Sequence, residues 1–564
     1  MQTLTLKLNS NQFESPAFPR KFDADFGNLL ILGRQAKDQK IHLVYDGDET
    51  NSKVNEQRKI YANYLDARKY RYCKDEDQVN EWWAETGIDD LFPNVEFPIY
   101  QKTAILWLLQ VRRGGLYYEM GLGKSLITLG FLSKLVSAGE VKKPLIICPL
   151  SLISPTAWFG EIQKYTDFEP VSLRAPHTPT RQPIYFVNPE LLSARCFEST
   201  KRAKSSYIHN NILTKENFDF VMFDESSLLG NPSSLISKVM LNVLPGIPNV
   251  VLASGAPSPT NCFQFFVQMK IIGSVLGQSY NNFQEKYGTY RLYNNAKVYT
   301  PKTGAVEEIR KIIDPVCYFL QVDGNLELPK RHEVDIHVDM HPDQAALYKQ
   351  LEEKYIAIVS GHDPDSGEAI EGTVTIKYEA VVRMKLLQVA GGFLISKDEH
   401  DEDVVYKLKW SPKFDRFMEL VDTIQGNTII WCRFRYEVER ILKLLTDKYG
   451  QDSTCYVYGD MTKRQREDQL SKWGDSCRFL ISVPQSTRFG FTWLKATNTI
   501  FFSATDSFAD YTQARSRNFR HGQTKEITEY KLKVKNTVED AVWTAITTRT
   551  KVDQYLKTYF LTKK

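Results

Sequence analysis

The segment that most limits what this chain can fold into is Gly115-Leu-Tyr-Tyr-Glu-Met-Gly-Leu-Gly-Lys-Ser125. A short apolar run passes directly into Gly121-Leu-Gly-Lys-Ser125, and a helical run from Leu126 to Val136 follows. Strand, glycine turn and helix in that order let backbone N–H groups curl around phosphate oxygens, and the helix N-terminus adds its dipole. In such a loop Lys124 reaches the β- and γ-phosphates and the Ser125 hydroxyl ligates Mg2+. The strict phosphate-loop pattern is broken at one point: Tyr118 stands where its first glycine belongs.

About one hundred residues later Phe220-Val-Met-Phe-Asp224-Glu225-Ser-Ser227 ends an apolar strand in two carboxylates. Carboxylates there lie at the carboxyl edge of a sheet, where open α/β folds bind ligands. Asp224 is placed to hold Mg2+ and Glu225 to orient and deprotonate an attacking water. Short apolar strands recur around these two segments: Pro144–Cys148, Ile184–Val187 and Asn249–Ala253. A second series comprises Thr428–Cys432, Thr454–Tyr458, Phe479–Val483 and Thr499–Phe502. Strands of this kind separated by helices predict parallel sheets covered on both faces. The expected fold class is α/β, with two parallel-sheet lobes (RecA-like by the family resemblance given below), helical insertions at 261–323 and 342–397, and a small N-terminal α/β or α+β domain. The expected boundaries are 1–92 for the N-terminal accessory domain, 93–330 for the first lobe and 331–564 for the insertion and second lobe.

Composition removes other classes. Apolar residues make up 42% and charged residues 25% of the 564, the balance of a folded chain rather than a disordered or fibrous one. No apolar run approaches the ~18 residues of a membrane span, and the start has no signal-peptide pattern. The eight cysteines form no CxxC pair, which argues against zinc and against a disulfide scaffold. The expectation is an intracellular, soluble protein with no membrane partner; the family resemblance given below, especially to compact phage- and prokaryote-style members, adds the expectation of a bacterial or phage-infected cell. The net charge of +4, from 72 Lys and Arg against 68 Asp and Glu, points to no partner by itself. Local tracts are more basic, at Arg68-Lys-Tyr-Arg-Tyr72 and after Phe501, and the first interleaves aromatic residues as a phosphate-tracking strip does. The alternative for that strip is a solvated helix face. His332, His337 and His341 lie in an alternating stretch that sends His332 and His337 to opposite faces of a strand, so they read as strand residues rather than metal ligands.

The order of these motifs resembles the Swi/Snf-type helicase-like ATPases of helicase superfamily two, over roughly Phe97 to Trp543. Phe97-Pro-Ile-Tyr-Gln101 is similar to the family's glutamine motif, and Glu119-Met-Gly-Leu-Gly-Lys-Ser125 to its phosphate loop. Pro144–Ser151 with Trp158 and Glu161 is similar to a motif that contacts a DNA backbone. Asp224-Glu-Ser-Ser227 matches the acidic box, and Ser254-Gly-Ala-Pro257 the motif that couples ATP state to DNA grip. Gly459, Arg466, Leu470 and Trp473 fit the spaced pattern of the second lobe, and Gln513-Ala-Arg-Ser-Arg517-Asn-Phe-Arg520-His-Gly-Gln523 its arginine motif.

The resemblance implies that ATP is held by Gln101, Glu119, Met120, Gly121, Leu122, Gly123, Lys124, Ser125 and Gln513. It implies Mg2+ at Ser125 and Asp224, and hydrolysis carried by Lys124, Asp224, Glu225, Arg517 and Arg520. Two places depart from the family: Ser516 replaces a usual Asp, and Gln485–Thr492 lacks the usual Gly-Gly pair. Both imply altered coupling between DNA and hydrolysis rather than loss of the ATPase. The implied function is ATP-driven movement along duplex or branched DNA, largely independent of base sequence. Two other readings stay open on the residues alone: an RNA-directed helicase or ATPase, and a nucleotide-gated DNA clamp that does not translocate.

Overall fold

The computed structural model describes residues 2–9, 12–15, 18–23, 41–46, 63–64, 66–155, 157–195, 217–258, 261–273, 276, 279–293, 296–321, 328–359, 372–397, 403–459, 461–487, 493–505, 507–520 and 522–547. The chain divides into two compact units, Met1–Arg291 with Tyr299–Leu326, and Leu292–Val298 with Glu327–Lys564. The Gly490–Thr492 part of the altered motif lies outside the described residues.

The first unit opens with four strands, β1 (Gln2–Asn9), β2 (Gln12–Ser15), β3 (Phe18–Asp23) and β4 (Ile41–Asp46), in the order β3-β2-β1-β4. Its main sheet is built from β5 (Arg113–Tyr118), β6 (Pro144–Ile147), β7 (Glu169–Ser172), β8 (Pro183–Val187), β9 (Phe220–Asp224) and β10 (Asn249–Ala253). After β11 (Gly288–Tyr293) and β12 (Ala296–Pro301) comes its seventh strand, β13 (Cys317–Leu320). The order is β13-β5-β10-β9-β6-β8-β7, and every neighbouring pair is parallel. β6, β9 and β10 are buried along their whole length, as continuous apolar runs in a doubly covered sheet must be.

This order positions the motifs. β5, β10 and β9 are adjacent, so the glycine loop, the Ser254–Pro257 turn and the acidic box leave the sheet side by side at its carboxyl edge. Two ladder steps of ~4.8 Å separate β5 from β9.

The core of the first unit extends back to Tyr64. Trp83 packs on Phe97 with ring centroids 5.1 Å apart, and Phe92 on Phe97 at 5.4 Å. A helix spans Glu76–Ala84, and at its start the Asp75 side chain accepts the N–H groups of Asp77 and Gln78. One residue of the basic-aromatic strip, Arg71, is absorbed here. The Arg71 side chain is 6% exposed, pairs with Asp314 at 3.1 Å and lies 4.9 Å over the Tyr318 ring. The Tyr72 hydroxyl donates to the same Asp314 at 2.7 Å.

The second unit holds β14 (Arg331–Val338), the antiparallel pair β15 (Phe393–Lys397) and β16 (Asp403–Lys407), β17 (Asn427–Trp431), β18 (Thr454–Val457), β19 (Phe479–Ser482), β20 (Ala496–Phe501) and β21 (Ile527–Val534). Six of these form an all-parallel sheet, β14-β21-β20-β17-β19-β18. The two sheets, with helices between their strands, are RecA-like lobes. The alternation at His332–Val338 is a strand, and among the described residues no cluster of His, Cys, Asp and Glu could hold a metal. Among the described residues no helix is long and apolar enough to cross a membrane.

Candidate active site

The glycine loop of the first lobe takes backbone angles that side chains resist. Gly121 has φ 91° and Gly123 φ 73°, the left-handed region. Gly123 is also crowded: a Cβ there would come within 2.3 Å of the Gln101 Nε2. Gln101, on the helix Ile99–Val111, is buried and donates from Nε2 to the Leu122 carbonyl at 3.2 Å. Its Oε1 is buried and, among the described residues, has no hydrogen-bond partner, an acceptor held beside the loop. Tyr118 replaces a glycine for a visible reason. Its ring is fully buried edge-on to Tyr318 at 5.2 Å, and its hydroxyl donates to the Tyr100 carbonyl at 3.0 Å. The tyrosine thus ties the glutamine-motif helix to the strand that feeds the loop.

Lys124 begins the helix Lys124–Ser137, and its Nζ donates to the Tyr118 carbonyl at 2.9 Å and the Glu119 carbonyl at 3.3 Å. Its charge also acts on Asp224 at the end of β9. Burial pushes the Asp224 carboxyl up, and Lys124, the Trp158 indole and the Glu225 N–H pull it the other way. Trp158 Nε1 lies 3.1 Å from Asp224 Oδ2, and the Glu225 N–H 3.1 Å from Oδ1. Glu225 itself takes φ 60°, a left-handed conformation rare for a non-glycine residue and found where strain serves a site.

The Ser254–Pro257 turn packs against the loop, for a Cβ on Gly255 would lie 3.0 Å from Met120 Cγ. A residue that sequence reasoning missed joins the turn to the acidic box. Gln268, fully buried on the helix Phe265–Ile272, accepts from the Tyr117 and Ser226 hydroxyls at 2.8 and 2.9 Å. Its Nε2 donates to the Pro257 carbonyl at 2.8 Å and the Gln264 carbonyl at 3.1 Å. A lone glutamine in an apolar helix is the signal that could have found it, because a buried amide must be satisfied. Ser125 opens the same helix as Lys124, and Glu119 stays on the loop through its N–H to the Leu320 carbonyl at 2.9 Å.

In the second lobe the arginine motif follows the helix Phe508–Arg515. Arg517 is buried, and its carbonyl accepts the Trp493 N–H at 2.8 Å. Gln523 clamps the segment, donating to the carbonyls of Leu494 at 3.0 Å and Asn518 at 2.9 Å. Ser516, where the resemblance implies Asp, donates to the Gln513 carbonyl at 2.9 Å and finishes the helix. Gln513 Oε1 is buried and, like that of Gln101, has no hydrogen-bond partner among the described residues. Arg520 closes the motif, half-buried, with its carbonyl accepting the Gln523 N–H at 3.0 Å.

The SNF2-related domain family matches residues 100–380, and the helicase conserved C-terminal domain family matches residues 412–522. The chain belongs to the Snf2-type helicase-like ATPases of helicase superfamily two. Among Snf2-type relatives, the ISWI chromatin-remodeling complex ATPase ISW1 of Saccharomyces cerevisiae is 22% identical over 491 residues, covering 82% of this chain and 41% of that protein. The ATP-dependent DNA helicase DDM1 of Arabidopsis thaliana is 22% identical, covering 78% of this chain and 59% of its own length. The chain therefore spans about half the length of these Snf2-type relatives. A solved Snf2-type structure, the Sulfolobus solfataricus SWI2/SNF2 ATPase core in complex with dsDNA, is 20% identical, covers 80% of this chain and 91% of that one, and has a TM-score of 0.35.

Proposed function

We propose that this chain is a DNA-stimulated ATPase that moves along duplex or branched DNA. In this reading residues 93–330 and 331–564 are the motor lobes. Residues 1–92 are an accessory module whose last part, from Tyr64, is built into the first lobe. The observation that carries the reading is the three-strand edge where the glycine loop, the coupling turn and the acidic box meet, tied together by Gln268 and Trp158.

The residues suit ATP and Mg2+. Gln101 Oε1, without a hydrogen-bond partner among the described residues, is an acceptor of the kind an adenine amino group needs, and Gly121 and Gly123 take the left-handed backbone angles that let the loop curl around phosphates. Gln101, Glu119–Ser125 and Gln513 would hold the nucleotide, and Ser125 with Asp224 the Mg2+. When bound, the metal neutralises charge on the phosphates. Lys124 leaves its carbonyl partners for the phosphates, and Glu225 takes the proton from the attacking water. Arg517 and Arg520 stabilise the charge that spreads over the transferring group, so turnover depends on the two lobes acting together.

The test is an ATPase assay with duplex DNA, single-stranded DNA and RNA. Glu225→Gln should bind ATP and not turn over. Arg520→Ala should cut DNA-stimulated hydrolysis on the order of 10³-fold, as other arginine fingers do. Stimulation by RNA alone would overturn the DNA assignment. Stimulation by duplex without displacement of a bound triplex strand would make the chain a clamp.

A further inference from the structure

The second lobe carries a site that none of the ATP motifs uses. β18 ends at Val457, and Tyr456-Val-Tyr458, which runs one residue past it, has a period of two that puts both rings on one face while Val457 is buried on the other. The rings lie near-parallel, with centroids 5.7 Å apart and planes 15° apart. Arg435, at the start of the helix Arg435–Tyr449, brings its guanidinium 5.4 Å from the centroid of the Tyr458 ring while its Nε pairs with Glu439 Oε1 at 2.8 Å, an exposed pair that a phosphate would have to share or displace. With Met461, Gln465, Asp468 and Gln469 these side chains line a cavity of about 230 Å³.

The polar groups of the cavity are pre-set. Gln465 Oε1 accepts the Thr462 N–H at 2.8 Å, and Gln469 Oε1 accepts the Tyr456 N–H at 3.3 Å. Each carboxamide oxygen is thereby fixed, and among the described residues neither amide NH₂ has a hydrogen-bond partner. The Asp468 carboxylate likewise has none among them. Arg466 donates to the Gly459 carbonyl at 2.9 Å and holds the turn that follows Tyr458. β18 is three ladder steps from β20, the strand that feeds the arginine motif, or about 14 Å at ~4.8 Å a step. The site is thus separate from the arginines, yet it opens at the same carboxyl edge of the sheet.

Aromatic faces, a thioether, amide donors and a carboxylate acceptor form the set that reads the face and edge of a heterocyclic base, and a guanidinium at the rim suits its phosphate. The cavity is smaller than the ~300–1,000 Å³ of pockets for drug-sized ligands, so it fits one ring system. In a duplex the faces and edges of bases are already stacked and paired. We propose that this cavity takes one unpaired base of a DNA strand, stacked on the tyrosine pair with its phosphate at Arg435. The proposal rests on the reading of the chain as a DNA motor and deepens it. Backbone tracking alone does not distinguish a fork or displaced strand from plain duplex, and a base pocket does.

The test uses the full chain without ATP. Binding of labelled oligothymidine, of a blunt duplex and of free thymidine monophosphate is measured for wild type, Tyr458→Ala and Tyr458→Phe. Tyr458→Ala should weaken single-strand binding about 5- to 150-fold, the value of one base–aromatic stack, and leave the blunt duplex unchanged. Tyr458→Phe keeps the ring and should bind like wild type. Unchanged single-strand binding by Tyr458→Ala, an equal loss on duplex, or free monophosphate competing as well as the strand would each overturn the proposal. Duplex stimulation of the wild-type ATPase is measured alongside. Its absence sinks the motor reading and leaves the base-binding result to stand or fall by itself.

Discussion

Trp158 and Asp224 are joined in the interior of the first lobe, indole Nε1 to carboxylate Oδ2 at 3.1 Å. With the Glu225 N–H on Oδ1, each oxygen of the carboxylate has one donor, which fixes the plane of the group. Trp158 is also the first residue of the helix Trp158–Tyr165 and, with Pro144–Ser151 and Glu161, belongs to the segment that resembles a DNA-contacting motif. One side chain therefore connects that segment to the proposed metal carboxylate.

Trp158→Phe removes the donor while a ring remains to pack on Phe186, whose centroid is 6.1 Å away. A hydrogen bond to a charged group contributes about 1.5–3 kcal/mol, so turnover should fall roughly tenfold or more. ATP should still bind, and half-maximal activity should need more Mg2+. The measurement is a Mg2+ titration of nucleotide binding and of hydrolysis. An unchanged Mg2+ profile would reduce the indole to a packing residue.

Gln268 makes four hydrogen bonds in full burial, so Gln268→Met strands the Tyr117 and Ser226 hydroxyls and the Pro257 carbonyl. Each stranded group costs about 1–3 kcal/mol, and the variant should lose about 3 kcal/mol or more of stability. Adding Tyr117→Phe and Ser226→Ala should return most of it, because removing both partners is nearly neutral. The triple variant should then fold and bind ATP, with hydrolysis that no longer rises on adding duplex DNA. Denaturant midpoints and ATPase rates with and without DNA check both halves. Full DNA stimulation in the triple variant would show that the glutamine serves packing alone.

The motif order was legible because chemistry and strand pattern coincide. Gly121–Ser125 and Asp224–Glu225 each follow an apolar strand, and parallel sheets put such ends on one edge. The pairing of β14 with β21 was not legible, since it joins Arg331 to Ile527 across nearly two hundred residues. Local alternation told which way the His332–Val338 side chains point, but not what the strand pairs with. The partner of Gln268 was hidden for the same reason. Periodicity marks a helix face as buried, and only tertiary contact names the groups it meets. At Arg68–Tyr72 the sequence left a phosphate-tracking strip and a solvated helix face both open, and the structure adds a contact neither reading contained: Arg71 and Tyr72 hold Asp314.

That contact leads to a prediction about the strip. Arg71→Ala should destabilise the first lobe by about 2 kcal/mol, less than the 3–5 kcal/mol of a fully buried pair, because Asp314 is 31% exposed and keeps Tyr72. Duplex affinity should not change. Chemical denaturation and DNA titration measure the two effects. Lost affinity at unchanged stability would return the strip to DNA binding.

The second lobe contains a carboxyl whose titration should be visible in stability. Glu437 is fully buried, and its Oε2 accepts the Arg433 N–H at 2.9 Å, the Phe434 N–H at 3.1 Å and the Ser503 hydroxyl at 2.7 Å. Burial pushes its carboxyl up from 4.5, and Lys413, the Ser503 hydroxyl and the two N–H groups offset only part of that. With the folded value above the unfolded one, the native state binds the extra proton between them. Its contribution is then complete below about 4.5 and is lost as pH rises through the folded value. Glu437→Gln keeps an acceptor for the same donors and does not titrate. The melting temperature of the variant relative to wild type should therefore climb as pH is raised from 4 toward neutrality. A constant difference across that range would mean that the Glu437 carboxyl ionises as readily in the folded chain as in the unfolded one.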